Sequence, residues 1–148
     1  GHFDHCLGLL SLATAWPNLP IMLHSADNFL IDQAQDSAHH WLKRAVDPVP
    51  KPNRSLSDGQ IINFANETLR VIHTPGHTPG SIALLSNKQG NDETYLFTGD
   101  TLFANGVGRT DFAYSNHQHL LKSLTKLKQL KEAGAYSLAL PGHGSSFY

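Results

Sequence analysis

The chain begins with Gly1-His2-Phe3-Asp4-His5, a stretch in which two histidines lie on either side of an aspartate. Imidazole nitrogens and carboxylate oxygens are the ligands expected for zinc, with iron and manganese as alternatives. Later in the chain His77, Asp100 and His143 each follow an apolar segment and each stand directly after a glycine. Loops at strand ends, held by a rigid sheet, commonly carry site residues. The opening stretch and these three positions therefore predict a hydrolytic site with two metal ions.

The composition is that of an ordinary globular protein. We expect the 148 residues to form a single domain, 1–148, with a sizeable core. Eleven basic and twelve acidic residues give a net charge of −1, which provides no basic track for nucleic acid and no polybasic face for a membrane. Cys6 is the only cysteine, which rules out an internal disulfide and predicts a reducing, cytoplasmic setting. The expected partner is a small molecule.

Hydrophobic periodicity predicts helices and strands in alternation, which indicates the α/β class. Helices are predicted over residues 6–16, 36–46 and 115–133, and strands over 21–23, 61–64, 69–72, 82–85, 95–98 and 136–140. Loops are predicted over residues 1–5, 47–57, 74–80 and 104–114, with a polar turn at 88–93. Ser115 and Gln118 match a capping box at the start of the last helix.

Each candidate residue also has an ordinary structural interpretation. A single histidine after a Pro-Gly turn, such as His77 or His143, is more often structural than a ligand. Asp100 could be a turn or cap residue. Arg109 and Asp111 are either a loop ion pair or a pair that orients the site. The metal hypothesis is favoured because all four groups of candidate ligands occur together. His77, Asp100 and His143 also share one context, a predicted strand followed by glycine.

Five motifs resemble those of the metallo-β-lactamase fold. Residues 1–5 resemble the end of its His-x-His-x-Asp-His signature, and Thr74-Pro75-Gly76-His77-Thr78-Pro79-Gly80-Ser81 resembles its second motif. Phe97-Thr98-Gly99-Asp100-Thr101-Leu102-Phe103 and Gly108-Arg109-Thr110-Asp111 are similar to the glyoxalase II-like (hydroxyacylglutathione hydrolase-like) branch. Pro141-Gly142-His143-Gly144 resembles the last motif. The resemblance implies an αββα sandwich, of which this chain lacks the N-terminal strands.

The resemblance also implies a role for each matching residue. The six metal ligands would be His2 and His77 for the first ion, Asp4, His5 and His143 for the second, and Asp100 between the two. Two zinc ions, or iron or manganese, would hold a bridging hydroxide that attacks a carbonyl carbon. Asp4 and Asp100 would be the catalytic carboxylates, because Asp4 could also orient the hydroxide and relay its proton.

A metal-dependent hydrolase of a thioester or ester is therefore the predicted function. The presence of Asp100 argues against a β-lactam substrate, and the glyoxalase II-like motifs indicate an acylglutathione-like thioester. The helical C-terminal domain of glyoxalase II proper has no counterpart after His143, so simpler single-domain relatives fit better. Two alternatives stay open: an iron-dependent persulfide dioxygenase-like enzyme, and a truncated, catalytically silent binding or structural domain.

The signature also predicts residues before Gly1. Its first histidine would directly precede Gly1, and the strands before it would take roughly fifty residues. Without that histidine the first ion would have His2, His77 and Asp100, one ligand fewer than the family's set. We therefore expect the 148-residue chain to be inactive, or active only when an N-terminal segment, a partner chain or a homo-oligomer complements it.

Overall fold

The computed structural model describes residues 1–64, 66–88 and 93–148 and shows a mixed α/β protein. The chain divides into two compact units, Gly1–Leu56 and Ser57–Tyr148. Within the described residues, no helix combines the length and the apolar character needed to cross a membrane.

The first unit consists mainly of short helices. Its elements are α1 (Phe3–Cys6), α2 (Leu9–Ala15), β1 (Met22–His24), a 3-10 turn (Ser25–Asp27), α3 (Asn28–Asp32), α4 (Ala34–Leu42) and β2 (Arg54–Leu56). The two strands pair in parallel, with Leu23 opposite Ser55. Helix α4 ends where Lys43 takes a left-handed conformation, with φ of 53°.

Several predictions for the first unit were wrong in detail. Residues 1–5 are not all loop, because α1 begins at Phe3 and is followed by α2 rather than by one helix over 6–16. Helix α4 begins earlier than the predicted 36–46, and it also ends earlier because Lys43 takes the left-handed conformation. Helix α3 was not predicted, and β2 lies in the segment 47–57 that was predicted as loop. Short elements of this kind depend on tertiary contacts more than on periodicity.

The second unit contains a five-stranded sheet and one long helix. The strands lie in the order β3-β4-β5-β6-β9. Strands β7 and β8 form a separate two-stranded sheet. The bounds are β3 (Ile61–Phe64), β4 (Glu67–His73), β5 (Ile82–Lys88), β6 (Tyr95–Gly99), β7 (Leu102–Phe103), β8 (Gly106–Val107), α5 (His117–Glu132) and β9 (Leu138–Pro141). The predicted hairpin of β3 and β4 is confirmed by their antiparallel pairing. The predicted turn over 88–93 includes 89–92, which lie outside the described residues.

The directions of the strands bring three loops to one edge of this sheet. Strands β4 and β6 both run antiparallel to β5, so they run parallel to each other. Strand β9 runs parallel to β6. The carboxyl ends of β4, β6 and β9 therefore lie at the same edge, and a loop follows each of them.

Helix α5 packs its apolar stripe on the sheet. Leu127 is fully buried in one cluster with residues of four strands, among them Ile72 and Leu96. The helix begins one residue later than the capping box predicted. Asn116 is the N-cap, and its side-chain oxygen accepts from the backbone amide of His119 at 2.9 Å. Ser115 is not the cap, because its hydroxyl donates to the backbone carbonyl of His77 at 2.6 Å.

Candidate metal centre

His77, Asp100 and His143 lie on the three loops that share the carboxyl edge of the sheet. Their loops follow β4, β6 and β9 respectively, as the sequence predicted. The last two loops are joined directly, since the amide of Gly142 donates to the carbonyl of Gly99 at 2.8 Å. The sheet therefore brings together three side chains that are separated in sequence by 23 and 43 positions.

Asp100 lies between the two imidazoles. Its Oδ2 is 3.6 Å from Nε2 of His77 and 3.6 Å from Nε2 of His143. These separations are too long for hydrogen bonds. They are close to the roughly 3.3–3.5 Å expected between two ligand atoms of one tetrahedral ion with bonds of about 2.0–2.1 Å. The distances fit a carboxylate that shares a metal with each histidine.

The two histidines differ in exposure. The side chain of His77 is 8% exposed and that of Asp100 is 14% exposed, whereas that of His143 is 55% exposed. The three residues thus form a site with a buried inner side and an open outer side.

The ring of His77 is held in one tautomer. Its Nδ1 lies 2.9 Å from the backbone carbonyl of Arg109. Because a carbonyl oxygen only accepts, Nδ1 is the nitrogen that donates, which leaves Nε2 as the nitrogen able to present a lone pair. A histidine that donates its far nitrogen to a carbonyl is typical of metal ligands. The donor set therefore fits a divalent metal.

The backbone that carries His77 is held by helix α5 and by the two residues that precede it. Four carbonyl groups, one at the end of β4 and three in the loop after it, accept hydrogen bonds: His73 from Lys126 Nζ at 2.9 Å, Pro75 from Ser123 Oγ at 2.8 Å, Gly76 from the Asn116 amide at 2.8 Å and His77 from Ser115 Oγ at 2.6 Å. Sequence reasoning missed all four donors as functional residues. The only hint was Ser123, a polar residue within the apolar stripe that includes Leu120 and Leu127.

Two glycines allow the close packing around His77. Gly76 has φ of +145°, and a Cβ there would lie 2.4 Å from the Leu120 Cα. A Cβ on Gly108 would lie 1.9 Å from the carbonyl oxygen of Asp100 and 2.9 Å from the His77 Cβ. No side chain fits at either position. The loop that carries His77 is therefore in close contact with the backbone of α5 on one side and with residue 108 on the other.

Arg109 and Asp111 form an exposed ion pair beside this loop. Two hydrogen bonds join the guanidinium to the carboxylate, and the side chains are 56% and 63% exposed. The hydrogen bonds from Arg109 lower the pKa of Asp111 to about 2. The Arg109 Cζ also lies 4.6 Å from the centre of the Phe112 ring, which contacts the ring of His77 edge-on. The pair is close to His77 but does not touch it through charged atoms.

The first unit contains the other predicted ligands. His2 is the N-cap of α1 in an extended conformation, and Asp4 and His5 are in the helix itself. His5 Nε2 and Asp4 Oδ2 are 3.8 Å apart, with side chains 34% and 42% exposed. Cys6 follows them and is buried, and this burial raises the pKa of its thiol. The thiol is thus poorly suited to act as a nucleophile.

Comparison with known proteins identifies close similarities along the chain. The family model of the metallo-beta-lactamase superfamily matches residues 1–143. The chain is 34% identical over 146 residues to the probable metallo-hydrolase YqgX of Bacillus subtilis, an alignment that covers 97% of the chain and 64% of YqgX. It is 29% identical over 146 residues to the hydroxyacylglutathione hydrolase GloC of Haemophilus influenzae, covering 98% of the chain and 66% of GloC. The chain spans about two thirds of the length of these curated relatives.

Solved structures show the same fold. The crystal structure of TTHA1623 in a di-iron-bound form matches with a TM-score of 0.80 and 32% identity, covering 99% of this chain and 67% of that one. The BLEG-1 B3 metallo-beta-lactamase matches with a TM-score of 0.79 and 27% identity, with the same coverage. These matches confirm the fold that the motifs predicted. The chain belongs to the metallo-beta-lactamase superfamily.

Proposed function

We propose that the protein is a metal-dependent hydrolase of thioesters or esters. In this proposal two divalent ions are held by His2, Asp4, His5, His77, Asp100 and His143. The observation that carries it is the position of Asp100, whose Oδ2 is 3.6 Å from an imidazole nitrogen on each side. A carboxylate with one imidazole on either side is suited to be a ligand shared by two ions.

The residues of the chain would hold the ions and orient the reacting groups. His77 would present its lone pair from Nε2, because the Arg109 carbonyl holds the proton on Nδ1. His143, the most exposed of the three, would stand at the open side where substrate enters. Asp4 would orient the attacking group and accept its proton. Bound divalent metals supply hydroxide at neutral pH and polarise a carbonyl oxygen.

The proposed substrate class is an acylglutathione-like thioester. Similarity to a hydroxyacylglutathione hydrolase supports the thioester, and similarity to a probable metallo-hydrolase supports hydrolysis in general. Zinc is the expected metal from the ligand types. Iron is the first alternative, because TTHA1623 was crystallised in a di-iron form. A cytoplasmic setting is supported by the single cysteine.

Metal binding can be tested directly on the 148-residue chain. Elemental analysis after dialysis should find zinc or iron in the wild type. Asp100→Asn and His77→Ala should lose most of it, because each removes a ligand atom from the buried side of the site. His119→Ala, which removes an exposed histidine of α5, is the matched control and should retain the wild-type content. Equal metal content in all four proteins would refute the assignment of the ligands.

Turnover should be tested on the protein with any residues that its gene encodes before Gly1. We expect release of thiol from an acylglutathione, abolished by a chelator and by Asp100→Asn, with no turnover of a cephalosporin measured in parallel. A single bound iron with oxygen-dependent consumption of a persulfide would support the dioxygenase alternative instead. A protein without bound metal would support the silent binding domain.

A further inference from the structure

The hydrogen bond between Arg109 and His77 is made by the backbone carbonyl of Arg109, and not by its guanidinium. The Arg109 carbonyl accepts from Nδ1 of His77 at 2.9 Å, while the guanidinium lies at the surface beside Asp111. Any effect of the Arg109 side chain on His77 must therefore act through the conformation of the backbone between them. We call residues 108–112 the carbonyl segment.

Side chains within the carbonyl segment contact one another. The guanidinium of Arg109 binds both carboxylate oxygens of Asp111, only two residues away. The Arg109 Cζ lies over the Phe112 ring, 4.6 Å from its centre. Phe112 in turn stacks on Tyr114, with ring centres 5.2 Å apart and an interplanar angle of 18°. A planar guanidinium held between a carboxylate and a ring restricts the backbone to which all three are attached.

The contact between the Arg109 carbonyl and His77 Nδ1 would be lost if this backbone moved. The segment begins at Gly108, where a Cβ would overlap with Asp100 and touch the His77 side chain. Phe112 meets the His77 ring edge-on, with centres 5.9 Å apart and planes at 67°. A rotation of the Arg109 peptide would turn its carbonyl away from Nδ1. The ring would then be free to change tautomer or to rotate.

We propose that Arg109 and Asp111 are positioning residues, which fix the tautomer and the orientation of His77 by holding the Arg109 carbonyl against Nδ1. The inference rests on the proposed function only in taking His77 as a metal ligand. Because the pair is exposed, it contributes little to the stability of the fold. Its removal should therefore weaken metal binding without a matching loss of stability.

The first test reads the ring directly in the metal-free protein. Nitrogen-15 spectra of the His77 imidazole should show the Nδ1-protonated tautomer in the wild type and a mixture of tautomers in Arg109→Ala. Arg109→Lys retains the charge but cannot bind both carboxylate oxygens in the same plane, so its spectrum should be intermediate. An unchanged tautomer in Arg109→Ala would overturn the inference.

The second test measures zinc affinity by competition with a chelator. Loss of a group that orients a ligand typically weakens metal binding by about 10- to 100-fold, so Arg109→Ala should bind zinc about tenfold more weakly. Lys128→Ala is the matched control, because it removes another exposed ion pair, with Glu132, and should remain within about twofold of the wild type. Wild-type affinity in Arg109→Ala would refute the positioning role. A wild type that binds no zinc would refute the proposed function, and the tautomer would still decide the inference.

Discussion

Ser123→Ala tests whether helix α5 holds the loop that carries His77. Ser123 is 3% exposed, and its hydroxyl donates to the Pro75 carbonyl at 2.8 Å. A buried acceptor that loses its donor costs about 1 to 3 kcal/mol. Pro75 is only partly buried, so we expect the lower half of that range, about 1 to 2 kcal/mol. Alanine returns about 0.5 kcal/mol through its higher helix propensity, which leaves a net loss of about 0.5 to 1.5 kcal/mol.

The matched control is Thr125→Ala on the same helix. Thr125 also donates its hydroxyl to a carbonyl, that of Leu121 at 2.9 Å, but at the exposed surface. Its replacement should be neutral or stabilising by about 0.5 kcal/mol, because water replaces the bond and alanine favours the helix. The two variants should therefore differ by about 0.5 to 2 kcal/mol, with Ser123→Ala the less stable of the two.

Urea unfolding followed by far-UV circular dichroism, with chelator present, measures this difference. The chelator matters because a metal that binds only the folded state would add stability by mass action. The midpoint of Ser123→Ala should fall below that of Thr125→Ala with similar slopes. If Ser123→Ala is as stable as Thr125→Ala, the hydrogen bond to Pro75 does not hold the loop as described.

Two further predictions concern the second unit. Gly76→Ala should lower the free energy of unfolding by about 3 kcal/mol or more, because its Cβ would overlap the Leu120 backbone at a positive φ. Gly59→Ala, at φ of +77° in open space, is the control and should lower it by only about 1 kcal/mol; equal losses in urea unfolding would contradict the prediction. Asp111 should titrate with a pKa of about 2, followed by the carbon-13 shift of its carboxyl group, and near the ordinary value of about 4 in Arg109→Ala. Because this pKa is lowered on folding, the stabilisation by the pair is present above about pH 4 and is lost as the pH falls towards 2. A wild-type midpoint near 4 would show that the pair does not form in solution.

The parts of the site that depend on local sequence were predictable. His77, Asp100 and His143 could be placed at strand ends because apolar runs followed by Gly or Pro mark where a strand stops. The α/β class followed from the same alternation. What the sequence could not contain was the direction of β4, β6 and β9 relative to one another, which decides that their ends share an edge.

The capping prediction was wrong because the partner of one side chain lies far along the chain. Ser115 matched a capping box by local pattern, yet its hydroxyl donates to the carbonyl of His77, 38 residues away, and Asn116 caps the helix instead. The exposed Arg109–Asp111 pair was predicted as either a loop ion pair or an orienting pair. Its contact with His77 is made by the backbone carbonyl of Arg109. Every residue has such a carbonyl, so the residue type does not predict the contact.

The four hydrogen bonds from α5 and the two residues before it to the backbone of residues 73–77 tie the shape of that segment to the helix. Two of them join residues 48 and 53 positions apart, Pro75 with Ser123 and His73 with Lys126. Contacts of such separation form only after the intervening chain has lost the entropy of closure. The loop therefore takes its final shape only when α5 has docked on the sheet. Any ion bound by His77 would therefore depend on the docking of α5, although the helix supplies none of the proposed ligands.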